Sequence, residues 1–251
     1  MLAERRERIV AAVEQQGVVS FSELARLFPD ISEMTLRKDL KQLDEQGRIV
    51  RIHGGARAIK TVRGTEMPLR QRLTQHIDKK RVIARKALAF LQAGDFVFLD
   101  SGSTATELAK IFPDIRCHVF TGGLSCVNEL SGLTHPVVHV LGGMLNKSSL
   151  SVRDVRLAYE LENYHFDVAF LSVNGFFPDI GFSSLRPERQ LMEQTVLRHA
   201  KKSIMLLDST KLDESCPYIV CPTSGVDVLI SDDEFPADVK KQLEAAGVTV
   251  L

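Results

Sequence analysis

The chain of 251 residues has few cysteines, no net charge and no long apolar segment. Its cysteines contain no C-x-x-C pair and none of the spacing to histidine that zinc sites use, so we interpret them as free thiols. They are Cys117, Cys126, Cys216 and Cys221. No signal peptide or apolar run of membrane-spanning length is visible. These absences predict a cytoplasmic, reduced protein that binds neither a structural metal nor a membrane.

The zero net charge conceals an uneven distribution along the chain. Residues 1–90 hold 19 Lys and Arg against 11 Asp and Glu, a net of +8. Because the chain totals are 32 and 32, the remaining residues hold 13 and 21, a net of −8. A basic N-terminal part joined to an acidic body is typical of a DNA-binding domain on a metabolite-binding domain. Chance asymmetry is the alternative.

Residues 20–55 have the pattern of two short amphipathic helices followed by a strand. Ser20 and Glu23 have the spacing of a capping box, and the apolar residues that follow predict a first helix. That apolar stripe consists of Phe21, Leu24, Leu27 and Phe28. Pro29 and Asp30 end this helix, and Ser32 is a suitable N-cap for the next one.

The pattern of apolar residues in the second helix predicts which of its faces packs on the core. Leu36, Leu40 and Leu43 recur at i, i+4 and i+7 and therefore face the core. Residues 48–52 then alternate like a strand, residues 53–55 turn it, and an earlier helix over 2–16 completes three helices and a wing.

The outer face carries polar side chains of the types that contact bases and phosphates in the major groove. An ordinary solvated helix face is the alternative for any single residue. The predicted DNA-binding residues are Ser32, Met34, Thr35, Arg37, Lys38, Lys41, Arg48, Arg51 and His53.

From residue 78 the chain alternates helix and strand, which predicts an α/β domain. Short apolar strands between helices imply a mostly parallel sheet covered on both faces. The predicted strands are 96–99, 117–120, 137–141, 166–173, 203–207, 226–230 and 248–251. The predicted helices are 78–94, 104–112, 124–130, 187–200 and 237–245. The predicted division is a DNA-binding domain over 1–57, a linker over 58–76 and a second domain over 77–251.

Three strand ends in this domain predict a site for a phosphate-bearing ligand. Small residues let the backbone approach a ligand, hydroxyls donate hydrogen bonds, and a helix N-terminus offers free N–H groups to an anion. Helix capping alone is the alternative reading. The predicted effector residues are Asp100, Ser101, Gly102, Ser103 and Thr104, with Thr121, Gly122, Gly123, Gly142, Gly143 and Lys211.

Motifs in both parts of the chain resemble those of the DeoR family of bacterial regulators. In the N-terminal part they are residues 32–40 (SEMTLRKDL), Leu43, Gly47 and residues 51–56 (RIHGGA). In the body they are residues 99–104 (LDSGST), 141–143 (LGG), 166–170 (FDVAF), 174–175 (NG), Gly181 and 208–211 (DSTK). The resemblance covers nearly the whole chain.

The resemblance implies a winged helix-turn-helix, with residues 35–41 on DNA and the wing near a phosphate strand. It also implies a sensor domain similar in fold to ribose-5-phosphate isomerase and glucosamine-6-phosphate deaminase, with a phosphorylated sugar as effector. By this resemblance residues 101–104 take the phosphate, and Asp100, Asp167 and Lys211 take sensing roles. Asp78 and Lys79 match a Glu-Lys pair that the family places before its sensor helix.

The sequence also departs from the family pattern. Residues 28–31 replace a simpler turn, and residues 121–123 (TGG) stand where many members have Thr-Asn-Ser. Asp154 stands at a glycine position, and Met192 near a position that is often lysine. These departures bear on which effector binds, or on whether one binds at all.

We therefore expect a DNA-binding regulator, a repressor of a carbohydrate-metabolism operon, that works as a dimer or tetramer on a double-stranded operator. One alternative is a constitutive or partner-controlled regulator with a degenerate pocket. The other is a sugar-phosphate isomerase or deaminase, whose base would be Asp100, Asp167, Glu188 or Asp208. Since these carboxylates lack a visible partner, we assign no catalytic residue and no cofactor.

Two further pairs of charged residues have a purely structural interpretation. Asp208 and Lys211 are equally compatible with a surface ion pair. Glu188 and Arg189 open a helix, and we favour a role in complementing its dipole.

Overall fold

The computed structural model describes residues 2–16, 18–52, 54–57, 66–212 and 216–251. They form two compact units that divide between Gln71 and Arg72. In the described residues no helix is both long and apolar enough to span a membrane.

The first unit is a winged helix-turn-helix. Its elements are α1 (Leu2–Gln16), β1 (Val18–Ser20), α2 (Phe21–Leu27), α3 (Glu33–Glu45), β2 (Val50–Ile52) and β3 (Gly55–Arg57). The strands form an antiparallel sheet in the order β1-β3-β2, with Val50 opposite Arg57 and Ile52 opposite Gly55. The predicted three helices and wing are confirmed, whereas β1 was not predicted.

Local signals in the sequence explain both helices of the motif. Ser20 and Glu23 form a reciprocal capping box at the start of α2, and the Ser32 side chain accepts from the Thr35 N–H at the start of α3. Leu24, Leu36, Leu40 and Leu43 are buried as predicted. Leu27 differs, with 45% of its surface exposed, because Leu24 in α2 and its C-cap Phe28 are the residues spaced to face the core.

The segment predicted as a linker contains a short helix, α4 (Leu69–Arg72). The second unit then has α5 (Ile77–Ala87), followed by a 3-10 turn over Leu88–Phe90. The next elements are β4 (Phe96–Leu99), α6 (Ser103–Lys110), β5 (His118–Thr121), α7 (Leu124–Leu130) and β6 (Val137–Val140). They are followed by β7 (Met144–Asn146), β8 (Ser151–Arg153), α8 (Arg156–Leu161), β9 (Val168–Ser172), β10 (Gly175–Phe177) and β11 (Gly181–Ser184). The last elements are α9 (Pro187–His199), β12 (Ser203–Leu206), β13 (Tyr218–Cys221), β14 (Val228–Ile230), α10 (Ala237–Ala245) and β15 (Thr249–Val250).

Seven of these strands form one sheet in the order β15-β14-β12-β9-β4-β5-β6, and every pairing in it is parallel. Alternate side chains enter two apolar layers, as in a sheet covered on both faces. Phe98 and Leu171 point to the layer that holds α8, α9 and α10 residues, and Leu99 and Phe170 to the layer that holds α5, α6 and α7 residues. The predicted α/β architecture with a mostly parallel sheet is confirmed.

Two smaller sheets were not predicted. β7 and β8 form an antiparallel hairpin, and β10, β11 and β13 form an antiparallel sheet in that order. Their strands have only three or four residues, too few for a clear alternation in the sequence.

Candidate DNA-binding and effector sites

The outer face of α3 presents the side chains that the sequence predicts for DNA contact. Met34, Lys38 and Lys41 are exposed, and so is Arg37. The Arg37 guanidinium lies 3.5 Å from the Glu33 carboxylate and 5.0 Å from the centre of the Phe21 ring. The face therefore holds one apolar side chain and three cations, of which the arginine is partly fixed.

The inner face of α3 is attached to α1 by a buried carboxylate. Asp39 accepts hydrogen bonds from Arg5 Nε at 2.6 Å and from Arg6 Nε at 2.9 Å. Burial alone would raise the pKa of Asp39, but the hydrogen bonds and charges of Arg5 and Arg6 outweigh it and lower the pKa. Asp39 therefore stays ionised and sets the position of α3 on the unit.

The remaining predicted DNA-binding residues have different surroundings. The Ser32 and Thr35 hydroxyls lie 2.9 Å apart within the cap of α3. Arg48 makes a bidentate ion pair with Glu7, at 2.7 and 2.6 Å, so its guanidinium is committed to α1. Arg51 is exposed on β2. His53 lies outside the described residues.

The predicted effector residues collect at one edge of the seven-stranded sheet, where its parallel strands end. We call it the carboxyl edge. The loop after β4 touches the loop after β5, because a Cβ on Gly123 would lie 3.1 Å from Ser101 Cα. Gly142 and Gly143 follow β6, and Asp208 to Lys211 follow β12. Parallel pairing brings strand ends together in this way, so the grouping follows from topology.

The start of α6 has the form of an anion site. Gly102 is the N-cap, with φ of 130°, and it supplies no side chain to the first amides of the helix. Ser103 and Thr104 are buried at this terminus. Thr106 Oγ donates to the Gly102 carbonyl at 2.7 Å and fixes the turn. Free N–H groups and the helix dipole favour an anion at this position.

Asp100 does not present a free carboxylate at this edge, contrary to its predicted role as an effector ligand. It is buried, and its oxygens accept from the Ser101 N–H at 2.7 Å, the Ser172 N–H at 3.0 Å and Arg189 at 2.7 Å. A carboxylate with these donors on both oxygens shapes the loop. Asp100 therefore positions Ser101 and Ser172.

Arg189 has a structural role that the sequence did not indicate. Its side chain lies between two buried carboxylates and donates to Asp100 and, at 2.6 Å, to Glu193. Ser184 donates to the other Glu193 oxygen at 2.8 Å. Burial raises the pKa of Glu193 to about 7, the Arg189 charge opposes the rise, and the Asp100 charge adds to it. The predicted dipole role of Arg189 is wrong, because its side chain turns inward.

Two basic residues near the carboxyl edge, Lys80 and Arg72, were not among the predicted effector residues. Lys80 is buried in α5, and its Nζ donates to the carbonyls of Arg72 and Gln75. Burial lowers the pKa of Lys80 to about 8, opposed by the Asp208 charge and assisted by the Lys211 and Arg72 charges. The Arg72 Nη1 atom lies 3.7 Å from where a Cβ on Gly102 would be.

The lysine that was singled out, Lys79, also reaches this edge: its Nζ donates to Ser209 Oγ at 2.8 Å and pairs with Asp232 at 2.9 Å and Glu234 at 2.7 Å. Lys80 is four residues after His76, and its N–H bonds to the His76 carbonyl in the first turn of α5. The sequence did hold one signal for a buried Lys80: it is a basic residue on the inner side of an amphipathic helix.

Asp167, a sensing residue by resemblance, and Asp208, half of the predicted surface ion pair, have other surroundings. Asp167 precedes β9 and so lies at the opposite edge of the sheet, where it pairs with Lys201 at 2.7 Å. Asp208 is buried and caps the turn after β12 by accepting from the Thr210 N–H. In the described part of the chain no ion pair joins Asp208 to Lys211, which is half-buried.

The remaining effector positions are mostly structural in their contacts. Thr121 is buried, and its Oγ1 accepts from the Gly123 N–H at 3.1 Å. A Cβ on Gly143 would lie 2.7 Å from Val152 and 3.0 Å from Asp154. Space around Gly142 is open, and Gly122 has Val152 as its nearest neighbour.

Two departures from the family pattern also have structural surroundings. Asp154 makes an ion pair with Arg156 at 2.6 Å, and Met192 is buried in the apolar layer under α9.

Two protein-family models match this chain. Residues 5–62 match the DeoR-like helix-turn-helix domain, and residues 75–233 match the DeoR C terminal sensor domain. The chain belongs to the DeoR family. DeoR proteins are transcriptional regulators, and the relatives found bear regulator or repressor names.

Three of these DeoR relatives cover almost the entire chain. The uncharacterized HTH-type transcriptional regulator YulB of Bacillus subtilis is 32% identical over 96% of this chain and 93% of its own length. The HTH-type transcriptional regulator GlpR of Haloferax volcanii is 30% identical over 99% and 97%. The lactose phosphotransferase system repressor of Staphylococcus epidermidis is 27% identical over 96% of both chains.

Solved structures resemble this DeoR chain more distantly. A ribose 5-phosphate isomerase A of Methanocaldococcus jannaschii is 16% identical over 55% of each chain, with a TM-score of 0.41. The eIF2B delta subunit of Chaetomium thermophilum is 15% identical over 64% of this chain and 59% of its own, with a TM-score of 0.44. Neither similarity bears on the chemistry of the chain.

Proposed function

We propose that this chain is a repressor of a carbohydrate-metabolism operon whose affinity for double-stranded DNA is controlled by a phosphorylated sugar. The α3 face and the wing bind the operator, and the carboxyl edge of the sensor sheet binds the effector. The lactose phosphotransferase system repressor among the relatives supports the class of operon. The effector shifts the population between two arrangements of the protein that differ in operator affinity.

The α3 face supports the DNA half of the proposal. Arg37, Lys38 and Lys41 are exposed along one helix whose opposite side is held by the Asp39 ion pairs. A recognition helix needs such an arrangement, with cations on the outer face and a firm attachment to its own domain on the inner face. Arg48 is a weaker candidate than the sequence suggested, because Glu7 neutralises it.

The carboxyl edge supports the effector half, and one observation carries it. Arg72 lies beside the uncapped start of α6, and the charges of Arg72 and Lys211 both act on buried Lys80. Buried or half-buried cations that repel one another raise the local potential and favour a multiply charged anion. The phosphate then accepts from the hydroxyls of Ser101, Ser103 and Thr104 and from the amides of residues 102–104, and Arg72 lies beside it.

The test combines ligand binding and DNA binding on the full chain. Thermal unfolding is followed with ribose 5-phosphate, glucosamine 6-phosphate and inorganic phosphate, with ribose and glucosamine as neutral counterparts. An operator sequence is selected from random duplex DNA, and its affinity is measured by fluorescence anisotropy with and without each compound. We expect stabilisation by a phosphorylated compound alone, together with a change in operator affinity.

A matched pair of variants tests the effector half of the proposal. Arg72→Met removes the cation beside Gly102, whereas Arg70→Met alters an exposed arginine on the same short helix. We expect only Arg72→Met to weaken phosphate-dependent stabilisation. A flat response of the wild-type protein to every phosphorylated compound, with intact DNA binding, would refute effector control and favour a constitutive or partner-controlled regulator. Failure to select any DNA would refute the DNA half.

A further inference from the structure

Met34 is an exposed apolar side chain at the centre of the outer face of α3. It lies two residues before Leu36, which is roughly 200° of rotation around an α-helix, so it points away from the leucines that pack on the core. Met34, Lys38 and Lys41 recur at i, i+4 and i+7 and form one row along the helix. Met34 is 68% exposed and occupies the first turn of that row. In a recognition helix the N-terminal residues are the ones that contact base edges.

The polar side chains around Met34 already have partners. Ser32 and Thr35 form the cap of α3, where their hydroxyls lie 2.9 Å apart and the Thr35 N–H donates to Ser32. The Glu33 carboxylate lies 3.5 Å from the Arg37 guanidinium. The first turn of α3 therefore presents an apolar side chain, flanked by polar groups that hold one another.

A methionine side chain recognises a limited set of features in the major groove. It has no N–H or O–H donor and its sulfur is a weak acceptor, so it cannot replace the hydrogen bonds that water makes to the polar groups of the bases. Thymine alone among the four bases presents a methyl group there, at C5. Single exposed apolar side chains are ordinary on protein surfaces. At the base-reading end of a recognition helix, however, such a side chain has an apolar partner in thymine.

We propose that Met34 is a specificity-determining residue that reads the C5 methyl group of a thymine in the operator. The inference rests on the proposed function, because it requires that α3 lie in the major groove. Lys38 and Lys41, further along the same row, contribute charge that attracts every DNA sequence alike. Overall affinity and the preference for thymine therefore depend on different side chains of α3.

Uracil is the probe for this contact, because it lacks the C5 methyl group and keeps the hydrogen-bonding groups of thymine. The full chain is titrated by fluorescence anisotropy with the selected operator and with duplexes in which one thymine at a time is replaced by uracil. We expect replacement of the thymine that faces Met34 to weaken binding roughly fourfold, the effect of one methyl group leaving an apolar contact. Replacement of thymines outside the contact should change the affinity little.

Three variants connect the methyl group to Met34. Met34→Ala removes the side chain beyond Cβ and should bind the thymine and uracil duplexes equally. Met34→Leu keeps an apolar side chain of similar size and should retain the preference for thymine. Leu27→Ala is the matched control and should keep the wild-type ratio, because Leu27 is 45% exposed in the same unit but lies on α2. Since Met34 is exposed, thermal melts of its variants should match that of the wild type.

Two results would overturn the inference. One is an operator in which every thymine can be replaced by uracil without loss of affinity, and the other is a uracil penalty that persists unchanged in Met34→Ala. Failure of the proposed DNA binding gives a different result, since no duplex would then be selected, and that outcome would overturn both. Loss of effector control alone leaves the ratio of thymine to uracil affinity unaffected, because the titrations contain no effector.

Discussion

The Arg189 guanidinium lies 2.7 Å from the Asp100 carboxylate and thereby joins α9 to the end of β4. Residues 89 positions apart in the chain meet at the carboxyl edge, where Asp100 also accepts from the Ser101 and Ser172 N–H groups. The loop that we propose to bind phosphate is therefore held in place by a helix from the other half of the sensor unit.

Replacing Arg189 by methionine should strongly destabilise the sensor unit. Asp100 and Glu193 would stay buried beside each other without their shared cation, at a cost of about 3 to 5 kcal/mol. Arg198→Met on the same helix is the control, because the Arg198–Glu162 pair is half exposed and is worth no more than about 1 kcal/mol. Urea unfolding followed by circular dichroism measures both, and equal effects would contradict a special role for Arg189.

Glu193 should make stability depend on pH in a direction opposite to most carboxylates. Its pKa is raised from 4.5 to about 7, so the folded protein still holds a proton where the unfolded chain has released it. The free energy of unfolding contributed by Glu193 therefore falls as pH rises from about 4.5 to 7. Glu193→Gln should remove this part of the pH dependence in melts recorded across the window. An unchanged slope in the variant would show that Glu193 is ionised throughout.

Gly102 should not tolerate a side chain, whereas Gly122 should. Gly102 has φ of 130°, a conformation that alanine adopts only under strain, and a Cβ would lie 3.5 Å from Ser172 Oγ. Gly102→Ala should cost about 1 to 3 kcal/mol of stability and weaken stabilisation by inorganic phosphate. Gly122→Ala, with an ordinary 3.6 Å contact to Val152, should change stability little. Similar melting temperatures for the two variants would argue against a strained loop.

Arg37→Ala should weaken binding to the selected operator and reduce its salt dependence. If Arg37 contacts a phosphate, the slope of log affinity against log salt should fall by about 1. If it contacts a base, discrimination of about 1 to 3 kcal/mol should be lost at one position of the site. Arg116→Ala, an exposed arginine of the sensor unit, is the control. Anisotropy titrations at several salt concentrations measure this, and an unaltered affinity and slope would remove Arg37 from the interface.

Asp39→Asn should loosen α3 while leaving its outer face unchanged. The variant leaves Arg5 and Arg6 without an ionised partner and should destabilise the first unit by about 2 to 4 kcal/mol. Because the pKa of Asp39 is lowered, the stability that it provides is present above its unfolded pKa and is lost as pH falls through the folded value. Asp44→Asn is a milder comparison, since among the described residues the Asp44 carboxylate accepts from the Arg51 N–H alone. Thermal melts at neutral and acidic pH distinguish the two variants. A melting temperature of Asp39→Asn equal to that of the wild type would contradict the role of Asp39 in holding α3.

Much of the fold was readable from the sequence because its signals are local. The signals are Ser20 with Glu23, Ser32 before α3, and Leu36, Leu40 and Leu43 on one helical face, and each acts over three to seven residues. The apolar strands of the main sheet were also predicted, since strands buried on both faces must be apolar along their whole length. Three-residue strands such as β1, β7 and β8 carry no such signal, and their existence depends on a partner strand.

The sequence by itself determined the family, the two kinds of domain, the capped recognition helix and the collection of small residues at strand ends. The tertiary structure alone decided what each charged side chain does: Asp100 and Arg189 turn inward to each other, Arg48 is committed to Glu7, and Lys80 instead of Lys79 is buried. The reason is physical. Backbone preferences depend on neighbours in the chain, but the partner and the burial of a charge depend on residues brought together only by folding.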